Sequence, residues 1–442
     1  MLHWLPNLFK RSQEDMRKFL FVLSIFFSIT VYSQEYGKQL TKTLCSKEFF
    51  GRGYVKQGDS LAARFLEGEF KKLNIDPYPG KSYFQSFKNP VVAFPSAMTL
   101  IINQDTLVPG VDYMVDPNCG TVKGYWRYVQ LSISELFDDQ LKYRFASSKE
   151  KEKQGIFSVV VDVRGLKGDS LKRARLDYIP MLAQALNVLV LTDEKFTFSV
   201  GREPLGYGLI YLNGNKFKPS AEIYTDIKAN YLINQISSNV IGFIPSALKK
   251  KKDREKAQTI VLTAHYDHLG AMGSQTYFPG ANDNASGVAM LLELAKYFKE
   301  NPLDYNVMII AFAGEEAGLL GSEYFARYPW LDLKNIKFLV NLDIMGSGEE
   351  GITVVNGTKH TEEFNRLVKI NEEKKGLSLI KPRGEAANSD HYWFSKMSVP
   401  AFFIYTMGPN KNYHDVFDTY ENLSFAKFND IKDLLINFVR TF

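Results

Sequence analysis

The chain has 442 residues, 45% of them hydrophobic, enough for one large domain with a smaller companion. Its formal charge of +5 is modest for that length and gives no case for nucleic acid as a partner. Two cysteines, Cys45 and Cys119, exclude a disulfide-dense scaffold; one disulfide between them in an oxidising compartment stays open.

The first element is a secretory signal. Met16-Arg17-Lys18 precedes the apolar run Phe19 to Val31, and Tyr32-Ser33-Gln34 follows. That run is short for a membrane span, so residues 1–34 read as a cleavable export region with translation starting at Met16, and the mature protein as periplasmic or secreted. Membrane contact would arise only through an uncleaved signal. The first cysteine after the run is Cys45, too far along for a lipid-anchored terminus, and His3 lies upstream of the mature chain. Residues 60–73, SLAARFLEGEFKKL, carry a helical period with Leu61, Ala62, Phe65, Leu66 and Phe70 as the apolar set. From 87 to 229 the chain shows short β-type runs, MTLIIN, FSVVVDVRG, NVLVLTD and LIYLNG, and no ligand motif. This segment is expected to be an inserted β-rich domain, either a packing element or a lid, splitting a domain built from 35–86 and 230–442. The basic run Lys249 to Lys256 reads as a solvated loop between two strands.

Five motifs follow, each beside an apolar run or in a Gly-rich loop, where an α/β sheet gathers its site. VLTAHYDHLG (261–270) ends a strand in His265, with Asp267 two residues on and placed to hold the other ring nitrogen. On its own an HxD tripeptide is more often a surface pair. PGANDNASGVAMLLELAKYF (279–298) runs from a tight turn into a helix; Asp283 could bridge two cations, and Ser286 reads as the helix cap. VMIIAFAGEEAGLLGSEYFA (307–326) follows a buried-type strand with Glu315 and Glu316, neighbours that face different ways and can take different jobs. KFLVNLDIMG (337–346) places Asp343 at a strand end. In SDHYWFSKMSVPAFFIYTMGPNKNYHDVFDTYENL (389–423) the strand Ala401 to Thr406 precedes the loop that carries His414. Of the remaining histidines, His268, His360 and His391 have weaker claims, and His268 would line the cleft.

Taken in this order, the motifs resemble those of the M28 family of zinc-dependent exopeptidases, which includes the co-catalytic bacterial leucyl aminopeptidases. The resemblance covers about residues 230–442 and more loosely 40–80. It implies an α/β fold, three-layer α/β/α with a mixed, largely parallel sheet, and two zinc ions per chain. It also implies that His265 and Asp343 bind one zinc, that Glu316 and His414 bind the other, and that Asp283 bridges them. Glu315 would then be the general base and Asp267 the support of His265, with peptides as substrates. Residues 155–193 resemble the protease-associated domains that accompany this family.

The chemistry agrees. Two borderline cations held by carboxylate and imidazole can share and acidify a water and clamp a carbonyl, while an unliganded carboxylate shuttles the proton to the leaving amine. Two imidazoles favour zinc over magnesium, although manganese or cobalt fits the same ligands. The expected activity is removal of N-terminal residues. The rivals are a glutaminyl cyclase-like enzyme, a metallo-carboxypeptidase with Arg383 as a carboxylate anchor, and an exported binding protein with a structural metal site; Glu315, which would serve no purpose there, argues against the last.

Overall fold

The computed structural model describes residues 35–138, 140 and 158–442; the expected export segment lies outside the described residues. A helix over 35–44 leads through short turns to α1 (Gly58–Lys72). Ala62, Leu66 and Phe70 form the fully buried stripe of α1, at the i, i+4 spacing of one helix face, while Leu61 falls off that stripe and is 40% exposed.

Eight strands build the main sheet: β1 (Phe84–Ala93), β2 (Asn230–Ile244), β3 (Thr259–His265), β4 (Asn306–Phe312), β5 (Ile336–Asp343), β6 (Gly351–Val355), β7 (Ile380–Arg383) and β8 (Ala401–Met407). Their order is β1-β2-β4-β3-β5-β8-β6-β7. The central run β4-β3-β5-β8 is parallel throughout, and antiparallel pairs join it to β2 on one side and β6 on the other. Every residue of β3 is buried, as expected for a parallel strand covered on both faces.

Successive side chains on a strand point to opposite faces, and here both faces are dry. Val307, Ile309 and Ala311 of β4 share a core with α2 (Gly287–Glu300) and α4 (Phe428–Val439), whereas Met308, Ile310 and Phe312 pack with Phe325 of α3 (Leu320–Arg327) and with Phe394. The result is three layers, helix on sheet on helix. Each such aliphatic side chain contributes roughly 1.5–3 kcal/mol by leaving water. Ile310→Asp would break the arrangement by burying an unpaired charge.

Strand β1 runs on to Ala93, past the expected boundary at residue 86, and β2 starts at Asn230. The chain between them forms a four-stranded sheet and a five-stranded sheet. In the latter, Tyr128–Leu131, Ser158–Asp162, Asn187–Thr192 and Leu209–Asn213 are mutually parallel. A helical run over 168–183 packs on this sheet through Ala174, Ile179 and Leu182, so the insert is not β alone. Its apolar period is interrupted by the π-turn Ala174–Tyr178, which hides the helix from a 3.6-residue pattern. The insert's core is continuous with the main domain, since Leu269, Met272 and Phe278 pack among Val115, Leu191 and Phe198. The lysines and arginine of the run Lys249 to Lys256 are exposed as expected, but residues Lys251–Lys256 coil into a short helix. Cys45 and Cys119 are buried free thiols with no disulfide between them.

Candidate metal centre

Parallel strands bring the motifs to one edge. His265 is the last residue of β3 and Asp343 the last of β5, and these strands are neighbours. Glu315 and Glu316 follow β4 after Gly314, whose φ of +68° turns the chain over the sheet edge. Asp283 precedes α2, and His414 lies in the loop after β8. This is the crevice beyond the carboxyl ends of the strands, where α/β sheets bind ligands.

The donor atoms form two adjoining groups. His265 Nε2 lies 3.3 Å from Asp283 Oδ1 and 3.4 Å from Asp343 Oδ2. His414 Nε2 lies 3.1 Å from Asp283 Oδ2 and 3.2 Å from Glu316 Oε2. Asp283 thus offers one oxygen to each group. Asp343 Oδ1 is buried with no hydrogen-bond partner in the protein, an unsatisfied acceptor beside the oxygen that faces His265. Glu315 brings its carboxylate within 4.8 Å of donor atoms of His265 and Glu316, yet it belongs to neither Asp283 group.

The surrounding bonds fix the imidazoles. His265 Nδ1 donates to the backbone carbonyl of Asp267 at 3.1 Å, and His414 Nδ1 donates to the carbonyl of Phe198 at 3.0 Å. Because both partners are carbonyls, Nδ1 must carry the hydrogen, which leaves each Nε2 to face the cluster. Asp267 therefore holds His265 by its main chain; its carboxylate is 3.9 Å from Nδ1 and instead accepts the backbone N–H groups of Glu315 and Glu316 at 3.2 and 3.3 Å. The expected carboxylate support of the ring is corrected accordingly. The reason is that a β-strand ending at His265 turns before Asp267 and spends its side chain on the β4 loop. His268 Nδ1 donates to Glu316 Oε1 at 2.7 Å, holding one oxygen while the other faces His414.

The GANDNASG string is a set of cross-links. Gly280 takes φ +56°, and a Cβ there would meet Asp283 O and the His268 ring at 2.3 Å. Asn284 Oδ1 accepts from Gly287 and Ile344, and Asn282 Oδ1 accepts from Gly346. Ser286 does not cap α2; its hydroxyl donates to the carbonyl of Asn282 at 2.7 Å and accepts from Met345 N at 2.8 Å. The polar residues thus tie the Asp283 turn to the chain leaving Asp343.

Two residues outside the sequence expectations complete the support. Asp418 accepts the N–H groups of Asn282 and Asp283 at 2.9 and 3.0 Å. Arg52, fully buried, donates to the carbonyls of Leu44, Tyr266, Pro279, Gly280 and Asp283. The flanking glycines Gly51 and Gly53 were a legible sign of a tightly packed backbone there; nothing in the acidic run around Asp418 singles it out. His360 packs against Phe338 and Phe402, and His391 is buried beside Phe403; neither joins a candidate metal group among the described residues. Arg383 is exposed and donates to the Tyr405 hydroxyl at 3.3 Å.

Electrostatics in the ion-free cluster follow from burying carboxylates and imidazoles together. Burial alone would raise Asp283, but hydrogen bonds from His265 and His414 hold it well below the usual carboxylate range. Glu316, against the same burial, is held down to about 2 by His414 and His268. Burial would lower His414, but Glu316 and Asp283 outweigh it and raise the ring to about 11. Burial pushes Glu315 well above the ordinary range despite His265, with Glu316 adding to the rise.

Beside Asp283 lies a cavity of about 420 Å³ bordered by Ile344, Tyr405, Met407 and Tyr413, with Glu350 and Lys411 at its polar side.

Residues 239–439 match the sequence profile of Peptidase family M28. Aminopeptidase YwaD of Bacillus subtilis (strain 168) is 31% identical over 221 residues, which span 47% of this chain and 45% of YwaD. The chain covers less than half the length of the first curated relatives it matches. The structure of BSAP, a zinc aminopeptidase from Bacillus subtilis, superposes with a TM-score of 0.67 at 19% identity, covering 92% of this chain and 94% of that one. A peptidase M28 precursor from Shewanella amazonensis SB2B superposes with a TM-score of 0.65 at 14% identity, covering 95% and 96%. At those identities the structural likeness is one of fold.

Proposed function

We propose, from the match of residues 239–439 to peptidase family M28, that this chain is a two-zinc metallo-aminopeptidase. The observation that carries the reading is Asp283, with one oxygen toward His265 and the other toward His414. The donor set fits two zinc-class cations. One position would be held by His265 and Asp343, the other by Glu316 and His414, with Asp283 shared. Six oxygen and nitrogen donors of this mixture suit zinc and its borderline neighbours better than magnesium.

Bound zinc supplies polarisation of a carbonyl and acidification of water. The protein does the rest. Glu315, unliganded in this reading, accepts the proton of the attacking water at its carboxylate and returns it to the leaving amine. Asp267 fixes the Glu315 and Glu316 backbone, and so the position of that carboxylate. In this reading the cavity beside Asp283 would take the first side chain of a peptide, with the substrate's free amine directed to the nearby carboxylates.

Export is also proposed, on the apolar run Phe19 to Val31 behind Met16-Arg17-Lys18. No helix among the described residues is long and apolar enough to cross a membrane.

The test is to strip the protein of metal and titrate zinc back while following hydrolysis of an aminoacyl-anilide. Activity should plateau at two equivalents per chain; a plateau at one equivalent contradicts the two-zinc reading.

A further inference from the structure

The two halves of the metal centre are held by different parts of the chain. His265 is oriented by Asp267, two residues along its own strand and loop. His414 is oriented by Phe198, which is 216 residues away and belongs to the insert. The contact is reciprocal: Phe198 N donates to the His414 carbonyl at 2.8 Å, while His414 Nδ1 donates to the Phe198 carbonyl at 3.0 Å. Three further facts bear on it. The Phe198 ring stacks on Phe278 with centroids 5.0 Å apart and planes 8° from parallel, which anchors this part of the insert on the main domain. Lys195 Nζ pairs with the buried Asp415 carboxylate at 2.5 Å and donates to the Lys411 carbonyl at 2.7 Å, latching the insert to both sides of His414. His414 itself sits at φ +54°, a left-handed conformation uncommon for a non-glycine residue.

We propose that Phe198 and Lys195 are positioning residues through which the insert sets the affinity of the Glu316/His414 cation position and leaves the His265/Asp343 position untouched. The proposal rests on the two-cation reading above. The physical cause is that a ligating imidazole binds metal well when its other nitrogen is held by an acceptor and its ring need not be ordered on binding; partners of this kind typically change metal affinity 10–100-fold. The insert is then a component of the centre, packed onto it through a continuous apolar core, and not only a wall around it.

The experiment uses the full chain. Zinc affinity is measured by competition with a chromophoric chelator for the wild type, Lys195→Met, Phe198→Ala and His414→Ala, giving stepwise constants. The step that His414→Ala abolishes identifies the position concerned. In both Lys195→Met and Phe198→Ala that step should weaken by about tenfold or more, with the other step unchanged and Lys195→Arg close to wild type. Far-ultraviolet circular dichroism of the metal-free proteins checks that folding is retained, and if Phe198→Ala does not fold, Lys195→Met decides. An unchanged step in Lys195→Met, or equal weakening of both steps, overturns the proposal while leaving the two-cation reading standing. A wild type with a single zinc step overturns both.

Discussion

Asp283 shares its two oxygens between two imidazoles, and Glu315 stands next to a residue of the same charge with different neighbours. The distinction between Glu315 and Glu316 can be measured. Glu316 Oε2 lies 3.2 Å from His414 Nε2, and its other oxygen is bound to His268, so it is the one committed to the cluster. Glu315→Gln should leave zinc content intact and lower kcat by at least about a hundredfold, the usual scale of general acid–base help. Glu316→Gln should instead release zinc at chelator concentrations the wild type withstands. Metal analysis alongside kcat for the two variants checks this, and the reverse pattern would exchange the roles.

At the scale of elements, the centre depends on how the helix-entrance turn at 279–287 is tied down. Arg52 donates five hydrogen bonds from a fully buried guanidinium, three of them to carbonyls of Pro279, Gly280 and Asp283. Arg52→Met removes all five of these donors from buried carbonyls and should cost on the order of 3–5 kcal/mol in chemical denaturation of the metal-free protein; a loss below about 1 kcal/mol would show that water replaces the clamp. The strands and the residues gathered at their ends were legible in the sequence because β3, β4 and β5 are largely apolar runs, two of which have His265 and Asp343 as their last residues while Gly314 lies two residues past the third. Each strand end is a local signal. Asp418, Lys195 and Phe198 were not legible, and Arg52 only through its flanking glycines, since most of their partners lie far off in sequence and are main-chain atoms, which leave no mark on residue type. Ser286 misled for a related reason: a serine before a helix usually caps it, and only the tertiary position of Met345 redirects the hydroxyl. The helix over 168–183 escaped notice because a π-turn shifts its apolar phase.

For the whole molecule, the ionisable groups predict a metal-dependent pH profile. Burial pushes Asp267 to about 7, Asp418 to about 7 and Asp390 to about 6. Between about pH 4 and 7 the unfolded chain has released these protons and the folded one retains them, so stability falls as pH rises through that window. His414, raised to about 11, works in the same direction at higher pH: its contribution is full below its ordinary value near 6.5 and is lost as pH climbs toward 11. Glu316, lowered to about 2, contributes stability that is lost only as pH falls from about 4.5 toward 2. Burial of His391, lowered to about 4, opposes this between pH 4 and 6.5, but the three raised aspartates outweigh one histidine, so metal-free protein should lose stability from about pH 5 toward pH 8. Zinc takes the place of the protons, so its stabilising effect should grow with pH over the same range. Differential scanning calorimetry with and without zinc checks this; a metal-free Tm that rises from pH 5 to 8 would contradict the electrostatic account.

The activity itself is tested most directly by mass spectrometry of one peptide and its N-acetylated twin, incubated with the zinc-loaded protein, together with a version that starts with Gln. The predicted result is stepwise loss of residues from the free N-terminus and an inert acetylated twin. Loss from the C-terminus would point to recognition of a carboxylate, and loss of ammonia from the Gln-started peptide without shortening would point to cyclisation; either would contradict the aminopeptidase assignment.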